Sequence, residues 1–383
     1  MKADSSTIRI INQKSLLEAI YENDGIYKTA LATLLNLSKP SVSRNVADLI
    51  SMGIVEEKGE GESTKNGGRK PTMLCFNKTY RYIASLELSL KQPVCAIGDL
   101  KYNLLSLRKI DVDREVCAEE KKRVIAEAFH EMLRELEIPI SKLGIIAISQ
   151  PGIIGDDNKV FYAETIHHPW TNIGLKEYLQ AEFDTPVMLE NDVTLAAIGE
   201  MTMGFDKQIQ NLIYVSCGYG VGSGIIYNGQ LFEGYNRAAG ELGFFLTHDG
   251  KRLEEVVGMG GLLDHINDIM VKNGCKGNLS FEDVVEKSLA NDELVNQGLK
   301  EVGRVLGQAL YNCCVMMDIP TVIFGGDYIR LGSALLKSIE ETMQQSHFPL
   351  RPTIQKSGLR EAAGIFGSFV IAKDAILQNE LGL

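Results

Sequence analysis

Residues 26–52, IYKTALATLLNLSKPSVSRNVADLISM, decide how the rest of the chain is read. Ala30, Leu31, Leu34 and Leu35 recur at helical spacing, and Asn36-Leu37 has the composition of a tight turn. Ser38 is placed to cap a second helix, with Lys39-Pro40 in its first turn, where a missing amide costs nothing. That helix sets Val42, Val46, Leu49 and Ile50 on one face and Lys39, Ser41, Ser43, Arg44 and Asn45 on the other. Short donors and a guanidinium near a helix start suit recognition of DNA: N-terminal side chains meet base edges while basic groups hold phosphates. A plain helical hairpin on a protein surface fits the same pattern. The flanking segments favour DNA.

Residues 12–20 precede it as a further helix, with Leu16, Leu17 and Ile20 apolar and Asn12 as its expected cap. Residues 53–57 read as a strand and residues 73–76 as a second one. Between them runs GEGESTKNGGRKP, residues 59–71, glycine-rich and ending in Arg69 and Lys70. A helix-turn-helix followed by a hairpin is a winged helix, and Arg69 beside Gly-Gly suits a minor groove. The alternative for this stretch is a solvated linker between domains.

The 383 residues allow two or three domains, each with its own core. A net charge of −11 looks wrong for a DNA binder until it is divided. Residues 1–80 carry 11 Lys/Arg against 9 Asp/Glu, and the remainder 28 against 41. A slightly basic head on an acidic body binds DNA through a local surface while the body repels other DNA. No run approaches the roughly 18 apolar residues of a membrane span, and the polar N-terminus does not read as a signal peptide. Cys75, Cys95, Cys117, Cys217, Cys275, Cys313 and Cys314 form no CxxC pair, which predicts reduced thiols, a cytoplasmic location and no structural zinc.

The body reads as α/β and as two similar halves. Residues 82–99 predict a strand hairpin, 104–112 a third strand, 118–136 a helix and 143–148 a buried strand ended by Pro151-Gly152. A helix near 173–183, a strand at 187–189 and a helix over 194–203 follow. The pattern then restarts: strands at 212–216 and 222–227 embrace CGYGVGSG, and 321–324 is a buried strand before Gly325-Gly326. Helices are expected over 261–272, 281–289, 293–317, 331–345 and 362–377. Such a duplication puts a small-molecule cleft between two lobes.

Taken in order, LSKPSVSRNVADLISMGIVEEKGEGES from Leu37, GGRKP from Gly67, END at 190–192, GYGVGSGIIYNGQL from Gly218, AGELG from Ala239 and VIFGG from Val322 resemble the ROK family of repressors, open reading frames and kinases, in its branch of sugar-responsive repressors. The resemblance covers essentially the whole chain. It implies an actin-like, hexokinase-type two-lobed body behind a winged helix, acting as a homodimer or dimer of dimers on a palindromic operator. It implies domains at 1–80, at 81–195 with 362–383 packing back, and at 196–361 with a dimerisation surface. Asp192 matches the base of the family's kinases. Asn191, Glu241, Gly152 and, more loosely, Glu254 match groups around the sugar. Each of these polar residues could instead be a cap or a solvated loop residue.

The phosphate-handling parts depart from the family pattern. Where kinases carry an Asp, paired glycines and Thr, this chain has Glu87-Leu88-Ser89-Leu90-Lys91. Tyr219 replaces a Thr in the second loop, between Gly218 and Gly220, while Gly325 and Gly326 persist. Backbone without those glycines cannot approach phosphate closely, so ATP use is not expected. Phe244 replaces the family's zinc-binding His in GFFLTHDGKRLEE, residues 243–255, and the cluster cysteines are absent, which leaves packing and hydrogen bonds to hold that loop. His167-His168-Pro169-Trp170 also lacks the Asn that usually precedes the family's Trp. The expectation is a DNA-binding repressor of carbohydrate genes with a sugar effector and no cofactor. A sugar kinase that also regulates, and a regulator answering a non-sugar signal, are the alternatives.

Overall fold

The computed structural model describes residues 5–23, 25–60, 72–88, 92–113, 115–155, 160–162, 170, 173–205, 209–345, 349 and 351–382. The expectations placed on Arg69 and the GGRKP run, on Ser89, and on His167 to Pro169 lie outside them.

Three helices and a two-stranded sheet build the head: α1 (Ser5–Glu22), α2 (Lys28–Leu34), α3 (Lys39–Ser51), β1 (Val55–Glu60) and β2 (Thr72–Phe76), with β1 and β2 antiparallel. Asn36 takes the left-handed conformation (φ 51°) that turns α2 into α3, and Ser38 Oγ accepts from Ser41 N at 3.3 Å to cap α3. Leu16, Ile20, Leu31, Val42, Val46, Leu49, Ile54 and Leu74 close the core with no exposed surface. Asn12 is not a cap. The helix begins at Ser5, and its first turns are pinned to α3 by Arg9 and Gln13, which donate to Asp48 at 2.8 and 3.1 Å. The first strand begins at Val55 rather than at Gly53, because Gly53 (φ 80°) ends α3 and Ile54 N still donates to Leu49 O.

The first lobe is a sheet of β3 (Tyr82–Glu87), β4 (Val94–Asp99), β5 (Leu104–Lys109), β6 (Leu143–Gln150) and β9 (Val187–Asn191), in the order β5-β4-β3-β6-β9. The hairpin strands are antiparallel, while β3, β6 and β9 run parallel. A short hairpin, β7 (Ile153–Ile154) and β8 (Val160–Tyr162), leaves the end of β6. Phe129 and Met132 of α4 (Ala118–Glu135) and Leu179 and Phe183 of α5 (Leu175–Phe183) share one core with Leu86, Ile97, Ile146 and Ile148.

The second lobe repeats the scheme with β10 (Leu212–Cys217), β11 (Val221–Tyr227), β12 (Gln230–Leu231), β13 (Thr321–Gly325) and β14 (Thr353–Lys356), in the order β12-β11-β10-β13-β14. Around it lie α7 (Leu253–Val257), α8 (Met259–Lys272), α9 (Phe281–Leu289), α10 (Glu293–Met317) and α11 (Ser333–Gln344). No helix among the described residues is long and apolar enough to cross a membrane.

Two helices join the lobes. The first, α6 (Asp192–Gly199), starts two residues earlier than the apolar pattern suggests, because Asn191 caps it, and it continues as a π-helical turn over Glu200–Gly204. The second, α12 (Ala363–Leu381), runs one turn past the expected end. They cross with backbones in contact: a Cβ on Gly199 would sit 2.1 Å from Ala363 O, and one on Gly367 only 1.8 Å from Leu195 O. Only glycine fits at either position. Glu200, buried completely, accepts from Ser357 Oγ, from Gly358 N at 3.2 Å and from Leu359 N at 3.0 Å, which ties the π turn to the chain entering α12.

Candidate functional site

The exposed face of α3 presents Lys39, Ser43 and Arg44 to solvent, with Ser41 half-buried beside them. Asn45 corrects the sequence reading. It is 4% exposed, donates to Ser41 O at 2.9 Å, and keeps Oδ1 inside the head without a partner. Its position could have been found: 42, 45, 46 and 49 form one helical stripe, and Asn45 sits in the middle of it. Lys28 of α2, which sequence reasoning passed over, pairs with Glu57 of the first wing strand at 2.9 Å.

The cleft residues converge at the carboxyl ends of β6 and β9. Asn191 accepts from Thr194 N at 2.8 Å through Oδ1 and donates to Gly152 O at 3.0 Å, so both its functional groups are already engaged. Asp192 opens α6 and accepts from Val193 N at 3.0 Å. Burial lifts its carboxyl to about 6, against the opposing pull of the amides at Val193 and at its own nitrogen. Glu241 is raised for the same first reason, then by the negative charges of Asp192 and Glu254, which places all three carboxyls within one field. Glu254 accepts from Val221 N at 2.8 Å and so braces the glycine loop from below as well as facing the cleft.

Three further groups, given little or no part in the sugar site by the sequence, belong here. Glu87, at the end of β3, is pushed up to about 8 by burial and then by the charges of Asp192 and Glu361, and its Oε2 has no partner. Glu190 reaches from the first lobe to an ion pair with Arg237 of the second, and Arg237 also meets Glu233 at 3.2 Å. The guanidinium is therefore covered by two carboxylates, and the cleft keeps an excess of acid. Only the fold reveals these, because 87, 190 and 237 lie far apart in the chain.

The glycine loop is folded on itself. Gly218 N donates to Gly220 O at 3.0 Å, Gly218 O accepts from Met259 N at 2.8 Å, and Val221 N is held by Glu254. Tyr219 projects outward, 54% exposed. Gly325 leaves room for the Tyr214 hydroxyl, which would lie 2.0 Å from a Cβ there, and Gly326 carries the chain on at φ 77°. The segment over residues 243–255 is held by main-chain and side-chain hydrogen bonds: Leu253 N to Phe245 O at 2.7 Å, Thr247 N to Lys251 O at 2.8 Å, and Thr247 Oγ1 to Asp249 at 2.6 Å. Phe244 and His248 are exposed on it, and no group of three His, Cys, Asp or Glu among the described residues could hold a metal ion.

Comparison with known proteins agrees with both halves of this picture. Residues 10–65 match the MarR family. Among curated relatives, a xylose repressor of Bacillus subtilis (strain 168) is 29% identical over 349 residues, covering 88% of this chain and 87% of that protein. The xylose repressor of Bacillus spizizenii is 27% identical over 356 residues, covering 91% and 90%. A solved ROK family transcriptional regulator, a homologue of the E. coli MLC protein, superposes with a TM-score of 0.81 at 21% identity, covering 98% of this chain and 99% of that one. A ROK family glucokinase from Streptomyces griseus, solved with glucose and AMPPNP, covers 76% of this chain with a TM-score of 0.62 at 20% identity. With residues 84–375 matching its family model behind a helix-turn-helix head, the chain belongs to the ROK family.

Proposed function

We propose that the chain is a sugar-responsive transcriptional repressor, which reads an operator with α3 and the wing and binds an unmodified sugar, with a pentose such as xylose as first candidate, between its lobes. The observation that carries this is one molecule holding both an exposed, basic recognition face and a buried set of carboxyls suited to sugar hydroxyls. Lys39, Ser41, Ser43 and Arg44 would enter the major groove, with Arg69 in the wing and two heads on a palindromic site as a homodimer or a dimer of dimers. Arg44→Ala is expected to weaken operator binding by about 1–3 kcal/mol, measured by fluorescence anisotropy at physiological salt. Unchanged affinity would remove α3 from the groove.

Asp192 and Glu241 would accept from sugar hydroxyls, while Asn191, engaged with Thr194 and Gly152, would position Asp192 by capping α6. Thermal unfolding against D-xylose, other pentoses, hexoses, amino sugars and sugar phosphates tests this reading. A ligand at 100 times its Kd adds about 2.7 kcal/mol of stability. A shift with one sugar that Asp192→Ala abolishes would name the effector. No shift with any carbohydrate would assign the cleft to a non-sugar signal.

The buried Asp192, raised to about 6, favours a second reading as a sugar kinase, since such a carboxyl can take a hydroxyl proton near neutral pH. Against it, the Gly218 and Val221 amides that could meet phosphate are already bonded, and acid surrounds the site. Asp192-dependent ADP release from ATP–Mg²⁺ and a hexose panel would establish the kinase. A cytoplasmic site of action is part of this reading, supported by the DNA target.

A further inference from the structure

One helix touches both functional regions. At its start, α12 covers the floor of the cleft: a Cβ on Gly364 would lie 3.3 Å from Glu87 Oε2 and 3.7 Å from Ser149 Oγ. Gly367, one turn on, makes the backbone contact with α6, whose first residue is Asp192. At the other end, Lys373 Nζ lies 4.9 Å from the centre of the Tyr21 ring of α1 and 5.6 Å from that of Tyr102, besides its ion pair with Asp374 at 2.6 Å. Tyr21 is the head's anchor. Its hydroxyl donates to Leu100 O at 3.2 Å, its backbone oxygen accepts from Lys101 Nζ, its ring meets Phe76 edge-on at 4.9 Å, and that same ammonium stands 4.1 Å over it. From α1 the line continues to α3 through Arg9, Gln13 and Asp48.

The seat of α12 on the first lobe mixes buried hydroxyls with apolar keys. Ser85 and Ser149 on the sheet and Ser368 on the helix are fully buried, and their hydroxyls have no hydrogen-bond partner. Ser85 and Glu87 alternate onto the same face of β3, Glu87 pairs in register with Ser149, and Ser368 lies one turn from Gly364. Small hydroxyls and glycines do not interlock as branched apolar side chains do. The helix start around Gly364 is therefore held less tightly than the stretch at Phe369, whose ring lies over Gly98, 2.5 Å from where a Cβ there would sit. The C-terminal half is keyed instead: Ile376 fills the space over Gly144, and Glu380 meets Arg81 at 3.4 Å.

We propose that α12 is the element through which the cleft and the DNA-binding head influence each other, and that Lys373, stacked on Tyr21 and Tyr102, is the positioning residue at the head end. Effector binding at Asp192 would move α6, the glycine crossing would move α12, and the Lys373 clasp would reorient α1 and with it α3. The effector part of this chain of contacts rests on the reading of the protein as a sugar-responsive repressor; the mechanical part does not.

Hydrogen–deuterium exchange on the full chain tests the mechanical part without any ligand. Gly367→Ala forces α12 off α6, and exchange in α1 near Tyr21 and at residues 99–102 is expected to rise about tenfold, a coupling of ordinary size. On a Lys373→Met background the same substitution is expected to leave α1 unaffected, a non-additivity that a merely stabilising lysine would not produce. Exchange that rises only in α6 and at the start of α12, or equally in both backgrounds, overturns the proposal. If Gly367→Ala does not fold by circular dichroism, Ser368→Val perturbs the same seat and is read the same way. In a second arm, D-xylose is titrated into operator complexes of the wild type and Lys373→Met. Release of the wild type with retention of the variant supports the clasp, and equal release opposes it. A wild type indifferent to D-xylose counts against the pentose reading, and the exchange arm still decides the role of α12.

Discussion

Glu200→Ala is expected to destabilise the body by roughly 3–5 kcal/mol, because three donors lose their acceptor inside the protein. Ser357 Oγ, Gly358 N and Leu359 N all point at this one carboxylate, which has no exposed surface. Alanine leaves the hydroxyl proton and both amides without their acceptor, although Ser357 Oγ still accepts from Arg360 N at 2.7 Å. Glu200→Gln keeps an acceptor oxygen for Ser357 and Leu359 but turns a donor toward Gly358 N, so it should cost about half as much. Urea unfolding of the three proteins checks the order. If alanine and glutamine are equally mild, the turn at Glu200–Gly204 is held by packing instead. The same bonds join α6 to α12, so partial unfolding of the alanine variant should begin where the two lobes meet.

The second large effect is a dependence on pH. Burial and the charges of Asp192 and Glu361 raise the Glu87 carboxyl from the ordinary 4.5 to about 8. The folded state therefore holds this proton more tightly than the unfolded one. Where that is so, stability falls as pH rises, here between about pH 4.5 and 8, and is level again above it. Asp192, raised from 3.8 to about 6, adds a slope of the same sign at lower pH. Glu87→Gln removes the larger part while keeping the shape. The variant is expected to match the wild type near pH 5 and to exceed it by about 2–4 kcal/mol at pH 8. Melting curves at the two pH values decide: parallel behaviour would mean that Glu87 stays ionised and is compensated. A sugar whose hydroxyl donates to Glu87 would hold the ionised form and should depress the slope in the wild type.

Much of the fold was legible because its signals are local. Ser38 before Lys39-Pro40, the 3.6-residue stripe through Val42, Val46 and Leu49, and the glycine run at 217–224 each fix an element from its neighbours. The END tripeptide placed Asn191 and Asp192 at a strand end, where the structure has Asn191 capping a helix. The misses are of another kind. Asn12 looks like a cap only if the helix lacks support before it, and that support is Arg9 reaching Asp48, 39 positions away. Asn45 looks like a DNA contact by residue type, yet its stripe position buries it. Glu190 with Arg237, and Glu200 with the segment after 356, are bonds between parts of the chain that only tertiary structure brings together. Glu87 carries no local mark of its environment: its raised carboxyl is a property of the cleft, not of the residues around it in sequence.

The placement of α12 also sets an order of assembly. The sheet it covers is finished at Asn191, but the helix itself follows the entire second lobe. A chain emerging from the ribosome therefore holds one face of that sheet, with Ile83, Ile145 and Ala147, uncovered until residues 363–381 appear. Pairing over so long a separation is slow, and an uncovered apolar sheet face invites association with other chains. The head, whose core is complete by Phe76, can fold well before this and gains its contact with Lys373 only at the end. Competence to bind DNA and competence to be regulated would then arise at different moments in the life of each molecule.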